Sequence, residues 1–518
     1  MRISLSRRVT AVVAAVGLAL VAVPASTANA DGHACGLGET CDGVLSGPLG
    51  DSTFKIKMPE NFNGTVLLNS KQYSASVPIP AGLAVPLGYA NSVYYSAVTI
   101  PGLGAGYAAN GVATVVPEGA PELESALLNQ GYALAGTGLA RQGWAVAEGV
   151  EAGENLIKYI NGGGIKGVKQ ILAWGNSMGA ETTQALIQRN PGKIAGSLPA
   201  CMASTEFFGD TYMTALYTWK TLIDPSIQGY NYAPGQAGYA QAMGDLQKIL
   251  TTIGAVASGQ ATVSSAGYPI ALANLLGGLL AGLPTVSPTY DGVTVNPAVA
   301  TLGTAGAIAG GYSPLSSGQS AAAAMLQNVG GIIGTGITLQ LDLEGRARAI
   351  GSIPANEGAA YVGNVGVNYS KLLSPEQRGE FADTFATAGP GVLDAMLAAL
   401  AAGERVEANP VAAKVVAGLP SASAVYNNKP TVALAGTYDL RVPGVTGDFV
   451  EGMAKSKKGK KAAKKGYARA WRQMGSLHMK NGNTAGAVKT YKMYLKLSPG
   501  APDSEMIRNT IIRLGGSP

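Results

Sequence analysis

Histidine is nearly absent from this chain. There are two in 518 residues, His33 and His478, so any mechanism built on an imidazole has only two candidates. Cysteine is almost as scarce, with three residues. No His/Cys/Asp/Glu cluster has metal-ligand spacing and no dinucleotide-binding glycine fingerprint occurs, so no cofactor is implied. Charged residues make up 13% and hydrophobic residues 47%, a balance too apolar for intrinsic disorder. The 72 glycines and 28 prolines are about 19% of the chain, below the range of low-complexity sequence. Uninterrupted apolar runs long enough to cross a bilayer are lacking as well. The run Ala11 to Pro24 is short, and the stretch from Ile270 to Val286 is broken by glycine and ends in proline. What remains is a chain that buries a sizeable core, as one large domain with insertions or as two to four ordinary ones.

Residues 1–30 read as a signal peptide. Arg2, Arg7 and Arg8 form its basic start, Ala11 to Pro24 its apolar centre, and Ala28-Asn29-Ala30 a small-x-small cleavage site. The mature chain is therefore expected to begin near Asp31 and to be secreted and extracellular. Export permits disulfides, and a Cys35–Cys41 bridge is expected in an N-terminal segment over residues 31–50. Cys201 lies in an apolar strand-like run and reads as a buried small hydrophobe.

Further along, short apolar strands alternate with helices. Phe54–Met58 and Thr65–Leu68 read as strands split by an Asn63-Gly64 turn. Tyr132–Gly136, Lys169–Trp174, Ile194–Cys201 and Thr431–Ala435 read as further strands. Helices are expected over Glu148–Ile160, with Val150, Leu156, Ile157 and Ile160 on one face, and from about Ala180 to Arg189, ended by Asn190-Pro191-Gly192. This rhythm predicts an α/β fold with a mostly parallel sheet. The core is expected over residues 51–209 and 411–453. Between them, residues 210–410 are rich in Ala, Gly and Ser, with helical pieces such as Tyr239–Ile253 and Pro375–Ala402. They are expected to form a large helical lid insertion.

One motif carries chemistry. Gly175-Asn176-Ser177-Met178-Gly179 is G-x-S-x-G with a strand before it and a helix after it, the context of a nucleophile elbow. The glycines are expected to permit a sharp turn that exposes the Ser177 hydroxyl, and the Met178 N–H is expected to help hold an oxyanion. A bare tight turn without catalysis is the plain alternative. The acid partner is placed at Asp439, after the strand Thr431–Ala435 and through Gly436-Thr437-Tyr438, where it could also be a surface turn aspartate.

With these residues the chain resembles an α/β-hydrolase, most of all the secreted actinobacterial hydrolases described as esterase-like or peptidase-like. The likeness is carried by Asn63 to Leu68, Gly131 to Gly136, Gln142 to Val146, Ala173 to Gly179 and Gly436 to Pro443. It implies hydrolysis of an ester, amide or lactone of a small molecule or peptide through an acyl-serine, with the insertion as a lid. By position it implies Tyr73 N–H as the second oxyanion donor. The sequence departs from the family pattern at Lys71-Gln72, where His-Gly is usual, and at Asn176 and Ala180 in the elbow.

The base is read two ways. His33 precedes the fold, so His478 is the one candidate. Yet Trp471, Gly475, Ala487, Tyr491 and Pro499 fall at tetratricopeptide spacing, with Met474 at the Leu position and His478 at the Tyr position. On that reading residues 467–518 are tetratricopeptide-like helices and His478 is a packing residue. Residues 454–466, with seven lysines between Lys455 and Lys465, are a linker or a polybasic contact for an anionic surface or a protein partner. The chain has no aromatic interleaving of its basic residues, which argues against nucleic acid. The overall +6 is uneven. From Asp31 to Leu440 the chain sums to −9, and from Arg441 to Pro518 to +12. Two classes therefore stand: a secreted serine hydrolase using Ser177, His478 and Asp439, and a non-catalytic hydrolase-like binding protein with a basic interaction tail.

Overall fold

The computed structural model describes residues 34–76, 98–100, 104–107, 112–117, 121–258, 260–282, 289–290, 293–294, 321–422, 429–433, 484–497 and 504–517. Residues 1–30, His33, Asp439, the lysine-rich segment and His478 lie outside the described residues.

Six strands form the main sheet: β1 (Thr40–Leu45), β2 (Ser52–Lys57), β3 (Thr65–Ser70), β4 (Ala133–Thr137), β5 (Gln170–Asn176) and β6 (Gly196–Ala200). Their order is β1-β2-β4-β3-β5-β6. β1 and β2 pair antiparallel, as do β2 and β4. The pairs β3–β4, β3–β5 and β5–β6 are parallel. A seventh position is begun at Thr431, which bridges Ser197 of β6 in parallel. Ser197 N–H donates to the Pro430 carbonyl at 2.9 Å, and Val432 N–H to the Ser197 carbonyl at 3.0 Å. The expected strand at Thr431 therefore joins the sheet, and its continuation lies outside the described residues.

Parallel neighbours need crossovers, and the helices supply them. α1 (Glu122–Asn129) precedes β4, α2 (Val146–Tyr159) joins β4 to β5, and α3 (Met178–Arg189) joins β5 to β6. The α2 face expected from its spacing is buried at Val150, Leu156 and Ile157, with Ile160 in the following turn. Asn190 ends α3 by donating its side-chain amide to the Leu186 carbonyl at 3.0 Å. This sheet with its helices is an α/β-hydrolase fold.

The Asn63-Gly64 turn does separate β2 from β3 along the chain, but the two strands are not neighbours in the sheet, because β4 lies between them. The turn also meets the start of β5. Asn63 Oδ1 accepts the Thr65 N–H at 2.8 Å, and the Gly64 carbonyl accepts Lys169 N–H at the start of β5. β1, unread in the sequence, extends the antiparallel edge, and the Cys35–Cys41 disulfide forms beside it. Cys201 falls just after β6, partly buried and at φ 46°, rather than within the strand.

After β6 the chain becomes helical, with α4 (Thr205–Leu222), α5 (Gly235–Ala257), α6 (Ile270–Leu280) and α7 (Ala321–Gly351). The expected piece over Pro375–Ala402 breaks into Pro375–Glu380, Ala382–Ala386 and Val392–Ala402. Gly389 and Gly391, both at positive φ, separate the last two. Among the described residues no helix is long and apolar enough to cross a membrane. One apolar cluster runs from the sheet (Val66, Ile171) through α3 (Leu186) into the insertion (Trp219, Leu276, Ile337). The helices are thus part of the same core, and Trp219 satisfies its indole N–H there on Asn274 Oδ1 at 2.7 Å. The described tail holds two helices, Thr484–Leu497 and Ser504–Arg513, that bury Ala487, Tyr491, Ile507 and Ile511 in a cluster of their own.

Candidate active site

Ser177 sits between the end of β5 and the start of α3, at φ 57° and ψ −125°. A non-glycine residue there is strained, by about 1–3 kcal/mol. Main-chain bonds hold it in place. Its N–H donates to the Ala200 carbonyl at the end of β6 at 3.0 Å. Its carbonyl accepts Ala180 N–H at 3.0 Å and Ala203 N–H at 3.3 Å. The turn is thus locked from the neighbouring strand and from its own helix.

The two motif glycines act differently from the sequence expectation. Neither has a positive φ; the unusual dihedral belongs to Ser177 itself. They are needed for close approach. A Cβ on Gly179 would lie 2.2 Å from the Ser70 carbonyl oxygen, and one on Gly175 2.4 Å from the Gly179 carbonyl oxygen. The elbow helix is therefore pressed against the end of β3. Thr183 adds a hydrogen bond to Ser70 Oγ at 2.9 Å.

This contact sets the end of β3, which leads to Tyr73, against the start of α3, which carries Met178. Met178 is the first residue of α3, so its N–H has no acceptor within the helix. The segment Lys71 to Ser74 leaves β3 against the same helix start. Tyr73 donates or accepts at Thr338 Oγ1 through its phenol at 2.9 Å, and its ring lies 6.3 Å from that of Trp144. Lys71 is buried, with its Nζ donating to the Val112 carbonyl at 3.2 Å. The end of β3 at Ser70 and Lys71 thus lies against the first turn of α3 beside Ser177. Asp439 and His478 lie outside the described residues.

Two features of this region escaped the sequence reading. Glu181, in the first turn of α3, is 1% exposed. Burial pushes its carboxyl up to about 8, opposed by a hydrogen bond from the Ala422 N–H. Its Oε2 has no hydrogen-bond partner. A glutamate at the start of a helix reads as a favourable N-terminal charge, so the sequence carried no sign that it was buried. The second is a polar stripe on α7. Asp342 Oδ2 accepts Trp144 N–H at 2.9 Å, and Arg346 grips Glu148 at 2.7 and 3.3 Å. Its sequence signal is the four-residue spacing of Thr338, Asp342 and Arg346.

No family model matches the chain, and no curated protein matches it. Solved structures overlap it weakly. An arylesterase is 15% identical over 35% of this chain and 52% of that one, with TM-score 0.20, so the chain spans about half its length. An esterase from Aspergillus oryzae is 12% identical over 84% of this chain and 73% of that one, with TM-score 0.29. The rice cell wall degrading esterase LipA from Xanthomonas oryzae, in a ligand-bound form, is 11% identical over 81% and 80%, with TM-score 0.29. At superpositions this low the neighbours add nothing to the chain's own sheet order and strained turn at Ser177.

Proposed function

We propose that this protein is a serine hydrolase that cleaves an ester, amide or lactone bond. The observation that carries the reading is the strained Ser177 between β5 and α3, in a G-x-S-x-G whose glycines are required by packing. A folded chain retains such strain where it serves chemistry. In the proposed reaction Ser177 Oγ attacks the substrate carbonyl carbon and its proton passes to His478. The oxygen that becomes negative is held by the N–H groups of Met178 and Tyr73. The C–O or C–N bond then breaks, with His478 returning the proton to the leaving group. Water attacks the acyl-serine by the same exchange and frees Ser177. Asp439 orients the imidazole and stabilises its charged form.

The reading extends to location and partners. Residues 1–30 are a cleaved signal, and the Cys35–Cys41 disulfide suits an oxidising compartment. The basic tail meets an anionic surface or a protein partner. A second reading keeps the fold without the chemistry, as a binding protein. It is favoured by one observation, that Lys71 stands buried where the family has a His-Gly pair.

A fluorophosphonate probe separates the two. On the first reading the mature chain is labelled at Ser177, and Ser177→Ala abolishes both labelling and hydrolysis of p-nitrophenyl acetate. An unlabelled wild-type chain rejects the hydrolase. If His478→Ala hydrolyses the ester at the wild-type rate, His478 is not the base and is left as a helix packing residue.

A further inference from the structure

Helix α7 belongs to the insertion, yet it reaches the Tyr73 segment by three routes. The first is direct: Tyr73 Oη and Thr338 Oγ1 share a hydrogen bond of 2.9 Å. The second runs through Trp144, whose main chain α7 holds at both ends. Asp342 Oδ2 accepts its N–H at 2.9 Å, and Arg346 Nη1 donates to its carbonyl at 3.2 Å. The Trp144 ring then packs against Tyr73. The third runs through Gly143, which bridges Ser74 antiparallel and donates its N–H to the Ser74 carbonyl at 2.8 Å.

The turn is shaped to receive these groups. Gly143 has φ 91°, and a Cβ there would lie 2.4 Å from Asp342 Oδ2. The carboxylate reaches the Trp144 amide only because position 143 has no side chain. Arg141 pairs with the other oxygen of Asp342. Arg346 and Glu148 are 11% and 4% exposed at their side chains, so this pair is nearly dry. Apolar contact alone is non-directional and would let a helix slide on its neighbour. Hydrogen bonds and ion pairs from Thr338, Asp342 and Arg346, spaced one turn apart, fix a single register.

We propose that α7 is a positioning element of the active site, and that Thr338, Asp342 and Arg346 set the place of residues 71–76. Its catalytic consequence rests on the serine hydrolase reading above, because those residues carry the second oxyanion donor. The insertion is then a working part of the site, coupled to catalysis through Tyr73 and Trp144.

The test uses the full mature chain with Thr338→Val, Tyr73→Phe, the double variant, Asp342→Asn and, as the conservative change, Thr338→Ser. Amide hydrogen exchange is followed in peptides covering residues 71–76 and, as a reference, residues 170–176. The expected result is faster exchange over 71–76 in Thr338→Val and Asp342→Asn, unchanged exchange over 170–176, and wild-type behaviour in Thr338→Ser. With p-nitrophenyl acetate, kcat falls by about tenfold to a hundredfold while KM holds, as for a misplaced catalytic group. Tyr73→Phe and Thr338→Val lose activity to the same extent singly and together, because each removes one side of the same bond. Wild-type exchange over 71–76 in both Thr338→Val and Asp342→Asn overturns the proposal. A chain that hydrolyses nothing removes the hydrolase reading, and the exchange measurement still decides whether α7 holds the segment.

Discussion

Glu181→Gln offers a quantitative test of the elbow's surroundings. The Glu181 carboxyl is buried in the first turn of α3 and its burial raises it from 4.5 to about 8. In the unfolded chain it loses its proton near its ordinary value. Between these two values the unfolded state has released a proton that the folded state still holds. Stability therefore falls as pH rises through this window, the reverse of a salt-bridged carboxylate. With the two values taken as 4.5 and about 8, the penalty grows by about 3 kcal/mol from pH 5.5 to pH 8. Glutamine keeps an acceptor for the Ala422 N–H and carries no charge at any pH, so it imitates the protonated acid. Thermal midpoints at pH 5.5 and 8 are the assay, read as the difference between wild type and variant so that other titrating groups cancel. For a domain of a few hundred residues about 3 kcal/mol corresponds to roughly 6–12 °C. The wild type should lose that much more than Glu181→Gln over the interval. Parallel losses in the two proteins would refute the burial argument and leave Glu181 ionised at neutral pH.

Other expectations follow from packing. Gly179→Ala places a methyl against the Ser70 carbonyl, so Ser177 labelling by a fluorophosphonate should be lost while the folded CD spectrum persists. Asn274→Ala leaves the Trp219 indole N–H buried without an acceptor and should cost about 1–3 kcal/mol, seen as a lower thermal midpoint. Arg346→Met strands Glu148 and should cost about 3–5 kcal/mol, whereas Arg346→Met with Glu148→Leu should recover most of it by the same measurement.

Much of the core was legible because its signals are local. The alternation of β4, α2, β5 and α3 is written in short apolar runs and a helical face, and each of these elements lies within a few residues of its expected place. The elbow was legible for the same reason: a strand, five residues and a helix suffice to name it. What was not legible depends on contacts distant in sequence. Nothing in Phe54–Met58 and Thr65–Leu68 tells that β4 will enter between them. The motif glycines look like turn formers until Ser70 is seen against Gly179. Glu181 looks solvated until the chain near Ala422 covers it. The stripe on α7 is readable as a spacing, but its partners at Arg141, Trp144 and Glu148 are some two hundred residues away.

The parallel bridge between Ser197 and Thr431 has a bearing on the order of folding. Their hydroxyls meet at 3.1 Å across a separation of 234 residues. The length-dependent part of closing a loop of that size is about 5 kcal/mol, against about 2 kcal/mol for the separation of seven between Leu45 at the end of β1 and Ser52 at the start of β2. The main-chain bonds of Ser177 reach only Ala180, Glu181, Ala200 and Ala203, so they close far shorter loops. Folding of the insertion between them would shorten the effective loop that Thr431 has to close. Docking of Thr431 on β6 is then expected to be a late step of folding, after the turn at Ser177 has formed.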